Sequence, residues 1–178
     1  MTMDNPAAAL RRPTAALAHF TQTLFGLVPL SLTMIALRLA LAIPFWRSGM
    51  TKWDGFLTIS FGAQALFTDE YKLHVFGGEY SYPAPELMAL LSALAETCLP
   101  VLLVFGLGTR YAALGLLVMT GIIQLTEPDG WANFHLPWAA MALAIATFGP
   151  GRIALDYVLG LDTFSRLREK VAARSAAG

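Results

Sequence analysis

Two side chains of opposite charge stand inside long apolar runs of the sequence. Arg38 lies within MIALRLALAIPFWRSG, residues 34–49, and Glu96 lies within SALAETCLPVLLVFG, residues 92–106. Counted at about 1.5 Å per residue, Arg38 would lie about 12 Å, and Glu96 about 16 Å, from the same face of a membrane. Charges inside membrane-spanning segments usually face the interior of a bundle and pair with one another. We therefore predict a buried ion pair between Arg38 and Glu96.

Two roles are open for this pair. In the first, it only fixes the register of two helices. In the second, Glu96 exchanges a proton, or both side chains line a cavity that holds a ligand. No catalytic residue can be assigned from these two positions alone.

A second polar group falls near the other end of the apolar runs. Its members carry charges or hydrogen-bonding groups at comparable depths: Arg47, Glu86, Gln124, Glu127 and His135. Solvation at the membrane surface is the more common arrangement for such a histidine, and we expect it for His135. The alternative is that His135 joins these residues in an outer polar cluster.

Residue types exclude several kinds of redox and binding chemistry. Cys98 is the only cysteine, so the chain cannot form a disulfide, a redox thiol pair or a cysteine-based zinc or iron–sulfur site within itself. His19, His74 and His135 fall at different depths, whereas haem held between two spans needs a histidine from each at one depth. We expect no metal site and no tightly bound cofactor. The formal net charge of zero argues against nucleic acid as a partner.

The elements that must position these residues are apolar helices. Of the 178 residues, 56% are hydrophobic and 13% are charged, whereas soluble domains usually carry about 25% charged residues. Four apolar stretches, at residues 30–46, 87–107, 111–126 and 136–148, predict helices that cross a lipid membrane. The predicted fold is all-α, a polytopic membrane protein built as a bundle of four transmembrane helices.

Charged residues divide between the two sides of these helices. The side of the termini has eight basic and four acidic residues: Arg11, Arg12, Arg110, Arg152, Arg166, Arg168, Lys170, Arg174, Asp4, Asp156, Asp162 and Glu169. The other side has three basic and seven acidic residues: Arg47, Lys52, Lys72, Asp54, Asp69, Glu70, Glu79, Glu86, Glu127 and Asp129. Because cytoplasmic loops carry the excess of Lys and Arg, both termini are predicted to be cytoplasmic.

Two amphipathic helices are predicted outside the spans. In FLTISFGAQALFTDEYK, residues 56–72, apolar residues recur at helical spacing, so an amphipathic helix should lie on the outer surface. Residues 159–178 should form a tail with a basic amphipathic helix that favours anionic lipid. The chain then divides into a cytoplasmic segment 1–29, a membrane domain 30–158 and this cytoplasmic tail.

Several stretches of the sequence resemble the DoxX family of bacterial membrane proteins. The resemblance covers residues 32–158 and includes SGMTKWDG, LFTDEYK, the helix of Glu96 ending in GLGTR at 106–110, and GPGRIALD at 149–156. It implies four transmembrane helices in the bacterial cytoplasmic (inner) membrane. The family is named for a subunit linked to quinone-dependent thiosulfate oxidation, and other members are associated with oxidative-stress complexes and metal-responsive operons.

The resemblance implies two alternative functions. The first is a membrane subunit of a quinone-linked oxidoreductase or oxidative-stress complex, which needs a protein partner for catalysis. The second is a non-catalytic membrane anchor or assembly protein in a metal- or stress-responsive system. For the first function, the preferred candidates to bind a quinone are the donors and rings near the outer end: Arg47, Gln124, His135, Trp46 and Trp138. Arg38, oriented by Glu96, is the other candidate, near mid-membrane. Whether the chain is itself an enzyme, and whether it forms homo-oligomers, stay open.

Overall fold

The computed structural model of the protein describes residues 29–162 together with Leu167 and Arg174. In chain order, its elements are α1 (Leu30–Met50), β1 (Trp53–Gly55), β2 (Thr58–Ile59), α2 (Phe61–Ala65), β3 (Lys72–Val75), β4 (Gly78–Ser81), α3 (Pro85–Phe105), α4 (Thr109–Thr126), α5 (Leu136–Phe148) and α6 (Leu155–Val158). A π-helical turn, Leu66–Glu70, extends α2, and a second, Trp131–His135, leads into α5.

Four long helices close into a ring. Helix α1 packs on α3, α3 on α4, α4 on α5, and α5 returns to α1. Each helix contributes buried side chains to one apolar core: Met34, Leu41, Phe45, Leu103, Leu116 and Ile145. The predicted helical architecture is therefore confirmed at the level of a mostly helical bundle.

Three of the described helices are long and apolar enough to cross a membrane by length and composition: α1, α3 and α4. Many of their large apolar side chains are exposed, as lipid-facing residues are expected to be. Helix α5 is also apolar but has only 13 residues, although the π-helical turn before it continues the helical path. The protein is thus a multi-pass membrane protein.

The connection between α1 and α3 differs from the predicted amphipathic helix over residues 56–72. Its first part is a β-hairpin, in which Trp53 pairs with Ile59 around the turn that follows Asp54 and Gly55. Ser60 then caps a helix, because its Oγ accepts a hydrogen bond from the backbone N–H of Ala63. The prediction was therefore wrong for residues 56–59, because Phe56 and Leu57 form the hairpin turn and Thr58–Ile59 form β2.

The helical part of this connection does bury one face. Ala63 and Phe67 are buried, while Phe61 is exposed. Phe67 packs edge-on against Tyr71 and Tyr82, and this small aromatic cluster contacts Ala89 of α3. A second hairpin, β3 with β4, follows. The predicted basic helix of the C-terminal tail lies outside the described residues, apart from Leu167 and Arg174.

Helices α1 and α3 are staggered along the bundle axis. The backbone carbonyl of Val104, one residue before α3 ends, accepts a hydrogen bond from Arg38 in the middle of α1. Conversely, Gly49, one residue before α1 ends, lies against the backbone of Glu96 in the middle of α3. Each mid-helix charge therefore lies where the neighbouring helix ends. We call the end with Arg38 the arginine end and the end with the two hairpins the hairpin end.

Candidate functional site

Glu96 forms its ion pair with Lys52. The ammonium Nζ of Lys52 lies 2.6 Å from Oε2 of Glu96 and also donates to Oγ of Ser48 at 3.0 Å. Ser92, one turn away on α3, donates to the other carboxylate oxygen at 2.9 Å. Lys52 is only 7% exposed and Glu96 only 3%. Both carboxylate oxygens are therefore satisfied in the bundle interior.

The turn that ends α1 brings Lys52 to this position. Helix α1 stops at Met50, and the chain folds back so that Ser60 N–H donates to the carbonyl of Lys52. The neighbouring Trp53 donates its indole N–H to Thr97 Oγ1 at 2.9 Å. This first hairpin therefore lies against α3 at the level of Glu96.

The predicted pair between Arg38 and Glu96 is not formed, and this prediction was wrong. Eight residues of α3 separate Glu96 from Val104, the residue that Arg38 contacts. At about 1.5 Å per residue this is about 12 Å, too far for one guanidinium to reach both. The two depths were similar only because each helix was counted from its own end.

Arg38 instead binds backbone carbonyls at the arginine end. Its Nη1 donates to Pro150 at 2.9 Å and to Ile153 at 3.1 Å, and its Nη2 donates to Val104 at 3.0 Å. Carbonyls near a helix C-terminus lack helical partners, so Val104 offers a suitable acceptor. Gly106 is required beside this group, because a Cβ there would lie 2.7 Å from Nη1 and its φ is +70°. Arg38 thus links α1 to the end of α3 and to residues 150–153 through hydrogen bonds.

Asp156 completes the arginine end. Its carboxylate accepts hydrogen bonds from the backbone N–H groups of Gly108 and Thr109, at 2.7 and 2.8 Å, and from the Thr109 hydroxyl at 2.7 Å. A carboxylate at a helix N-terminus accepts hydrogen bonds from N–H groups that lack helical partners. Its negative charge also interacts favourably with the positive end of the helix dipole. Asp156 therefore caps α4 from a distant part of the sequence.

A cavity of about 780 Å³ occupies the hairpin half of the bundle. This volume is within the range of pockets that bind small molecules, about 300 to 1,000 Å³. The Lys52–Glu96 pair forms part of its buried wall. Its polar and aromatic lining residues are Ser48, Lys52, Ser92, Glu96, Phe45, Phe67, Tyr71, Tyr82, Thr126, Glu127, Asp129, Phe134, His135 and Trp138. The exposed apolar residues Leu91, Val118 and Ile122 also line it, so the cavity reaches the outer surface between α3 and α4.

The structure separates the predicted quinone-binding residues into two groups. His135 and Trp138 line the cavity, and Oε1 of Gln124 accepts a 2.6 Å hydrogen bond from Nδ1 of His135. Arg47 is exposed and does not line the cavity. Trp46 lines a smaller groove of about 250 Å³ beside Pro100, on the other side of α1. The prediction that Arg47 and Trp46 belong to the same site as His135 was therefore wrong.

The alternative, an outer polar cluster around His135, is present only in part. Glu127 joins His135 on the lining of the cavity, whereas Glu86 does not line it. Helical rotation explains the difference, because Glu86 points outward from the first turn of α3 and is exposed. His135 is buried, so the expectation of a solvated histidine at the membrane surface was wrong.

Two titratable groups at the hairpin end have shifted pKa values. Burial lowers the pKa of His135 below its usual 6.5, although the nearby Glu127 opposes this shift. Burial raises the pKa of Tyr71 above its usual 10, and the nearby carboxylates of Glu127, Glu96 and Glu70 raise it further. Both side chains are therefore neutral at pH 7.

Comparison with known protein families identifies the family. The family model described as DoxX matches residues 33–127, which is more than half of the chain. The chain belongs to the DoxX family. No curated protein and no solved structure matches it. Within the described residues of this DoxX protein, no group of three or more His, Cys, Asp or Glu side chains is arranged to hold a metal ion.

Sequence reasoning missed two residues of this DoxX protein that the structure makes central. Lys52 was counted among the charges of the outer loop, although it stands in SGMTKWDG, one of the stretches that carry the family resemblance. Asp156 was counted only as a cytoplasmic charge, although it ends GPGRIALD. In both cases the available signal was a charged residue close to a helix end, within a stretch that carries the family resemblance.

Proposed function

We propose that this DoxX protein is a membrane subunit of a quinone-linked oxidoreductase or oxidative-stress complex, and that its cavity holds the quinone head group. In this proposal four helices cross the bacterial cytoplasmic membrane and both termini are cytoplasmic. The cavity then lies in the outer half of the membrane. Catalysis needs a protein partner, because the chain has one cysteine and so cannot form a disulfide, a redox thiol pair or a cysteine-held cluster by itself.

The observation that carries the proposal is a cavity with a polar buried wall and an apolar side opening. A quinone has a planar ring with acceptor oxygens and a long apolar tail. Lys52 has three N–H donors and two described partners, so one donor is free to bind an acceptor oxygen in the cavity. The gap lined by Leu91, Val118 and Ile122 would let the tail remain in lipid.

Aromatic side chains beside the cavity support a planar ligand. Trp138 packs at 5.1 Å from Phe45, at 5.9 Å from Phe134 and at 5.6 Å from the His135 ring, measured between ring centroids. A ring placed against this group would gain the offset or edge-to-face contacts that aromatic pairs prefer. The preferred site therefore combines Lys52, His135 and Trp138.

Binding of a quinone analogue to the purified protein tests the proposal. Trp138 lines the cavity, so the analogue should quench tryptophan fluorescence saturably. The double variant Lys52→Met/Glu96→Gln removes the donor without leaving an unpaired buried charge, and affinity should fall about tenfold or more, as expected for a lost hydrogen bond to a charged group. Arg47→Met is the matched control, because Arg47 is a nearby cation outside the cavity, and it should bind normally. Non-saturable quenching that is equal in all variants would contradict the proposal.

A second candidate function is the non-catalytic anchor or assembly protein. The observation that favours it is the exposure of large apolar side chains at both hairpin tips: Phe56 is 95% exposed, and Phe76 is fully exposed. Such residues indicate a surface that contacts lipid or another protein. Photocrosslinking from position 76 in intact membranes would test it, since this function predicts a defined protein adduct and direct lipid contact predicts none.

A further inference from the structure

We infer that the cavity in the hairpin half selects electrically neutral ligands and rejects anions. This inference rests on the proposed function, because it concerns which quinone-type ligands the same cavity accepts. It predicts that this chain binds a neutral, lipid-soluble ring compound and not an anionic substrate. The inference comes from the charges that line the cavity.

The buried wall of the cavity has no net charge. Lys52 and Glu96 are in direct contact at 2.6 Å, and both are buried. In a region of low dielectric constant, an anion near Lys52 would have to compete with Glu96 for the same ammonium group. A neutral acceptor oxygen can instead take the remaining N–H of Lys52 without disturbing this pair.

The rim of the cavity is acidic. Glu127 and Asp129 line it from the turn between α4 and the π-helical turn, and both are exposed. Among the described lining residues, Lys52 is the only Lys or Arg. One cation thus faces three carboxylates, so an approaching anion is repelled at the rim and finds no unpaired cation inside.

The other titratable lining residues add no positive charge. Burial keeps the pKa of His135 below its usual value, so its imidazole is neutral near pH 7. The pKa of Tyr71 is raised, so its phenol is neutral as well. These two groups can donate or accept hydrogen bonds, but neither can compensate an anionic ligand.

A matched pair of probes tests this inference. Methylnaphthoquinone is neutral, whereas the hydroxynaphthoquinone with its hydroxyl on the quinone ring has the same ring system but is ionised at neutral pH, because that hydroxyl is a vinylogous acid. Each would be titrated into the full-length protein in detergent, with tryptophan quenching corrected for probe absorbance. We expect saturable binding of the methyl compound and at least tenfold weaker binding of the hydroxy compound.

Variants at the rim test the electrostatic cause. The double variant Glu127→Gln/Asp129→Asn removes two carboxylates and should tighten binding of the anionic probe several-fold, with little effect on the neutral probe. Glu79→Gln is the matched control, because it removes an exposed carboxylate from β4 that does not line the cavity. The control should leave the ratio of the two affinities unchanged.

Each outcome has a distinct meaning. Equal affinity for the two probes in the unmodified protein overturns the inference and leaves the proposed function standing. An affinity ratio that the rim variant does not change also overturns it, because selection would not then be electrostatic. Failure of both probes to bind saturably overturns the proposed function and this inference together.

Discussion

At the scale of single residues, the Lys52–Glu96 pair illustrates how a charge becomes tolerable inside an apolar bundle. Removing two ions from water costs free energy, which their attraction offsets only when the geometry is good and the remaining polar atoms are bonded. Here Ser48 and Ser92 supply the additional hydrogen bonds. The pair therefore depends on its own two side chains and the two serines. Removing one ion leaves the other buried without a partner of opposite charge.

A double-mutant cycle measures this dependence. Lys52→Met or Glu96→Gln alone should lower the free energy of unfolding by about 3 to 5 kcal/mol, because each leaves a buried charge without its partner. The double variant should lose clearly less than the sum of the two. The measurement is unfolding in mixed detergent micelles, followed by circular dichroism.

The same cycle between Arg38 and Glu96 serves as the control. These residues share no hydrogen-bond partner among the described residues, so their effects should add to within about 0.5 kcal/mol. Strong coupling between Arg38 and Glu96, with additivity between Lys52 and Glu96, would contradict the structure's assignment of partners.

At the scale of the elements, the close approach of α1 to α3 fixes the position of the Lys52–Glu96 pair along the bundle axis. Gly49 lies where a Cβ would come within 2.9 Å of the Glu96 backbone. Small residues let membrane helices approach each other this closely, since packing replaces the hydrophobic effect as a driving force in lipid. The approach of these helices is thus what brings Lys52 to Glu96.

Gly49→Ala should therefore destabilise the protein, by about 1 to 3 kcal/mol as for other overpacked sites. Gly121→Ala in α4 is the matched control, because a Cβ at Gly121 would meet nothing within 4 Å. The control should be as stable as the unmodified protein or slightly more stable. Thermal unfolding in one detergent would compare the stability of the two variants with that of the unmodified protein. Equal losses of stability in both variants would show that the close contact at Gly49 does not cause the destabilisation.

Asp156 plays the corresponding role at the arginine end, since it joins α6 to the start of α4. Asp156→Ala should cost about 1 to 2 kcal/mol, because it removes an N-cap and its charge. Hydrogen exchange should also quicken at the amides of Gly108 and Thr109, which donate to this carboxylate. Asp54→Ala, which removes an exposed carboxylate in the first hairpin, should leave exchange at those two amides unchanged.

At the scale of the whole molecule, the start of α1 and the segment that follows α5 meet at the arginine end. The backbone N–H of Arg152 donates to Ser31 at the start of α1, and Gly151 lies against Met34. The chain therefore passes along the bundle an even number of times between these points. The excess of Lys and Arg predicts that this end of the bundle faces the cytoplasm.

Reporter fusions test the resulting topology. Four spans predict that a reporter fused after Glu79 and one fused after Gly178 report opposite sides of the membrane. If α5 did not cross, only the three helices that qualify by length would span, and both reporters would lie on the same side. A phosphatase that is active only outside the cytoplasm, paired with a fluorescent protein that is active only inside it, would decide between these results.

The sequence by itself determined that this chain is a helical membrane protein of the DoxX family. Hydrophobic runs of helical length and low charge are local properties, so they could be read without the fold. The sequence also indicated that Glu96 needs a buried partner, and that His135 and Trp138 belong near a common site. It also placed a helix over residues 56–59, which instead form the turn and second strand of a hairpin.

Only the tertiary structure decided which charges meet. The stagger of α1 against α3 depends on contacts such as Gly49 with Glu96, between residues far apart in sequence. A shift of about 12 Å along the axis moves Arg38 to the end of α3 and lets a loop residue, Lys52, reach Glu96. Side-chain periodicity fixes which face of a helix is buried, but it does not fix the height of one helix against another.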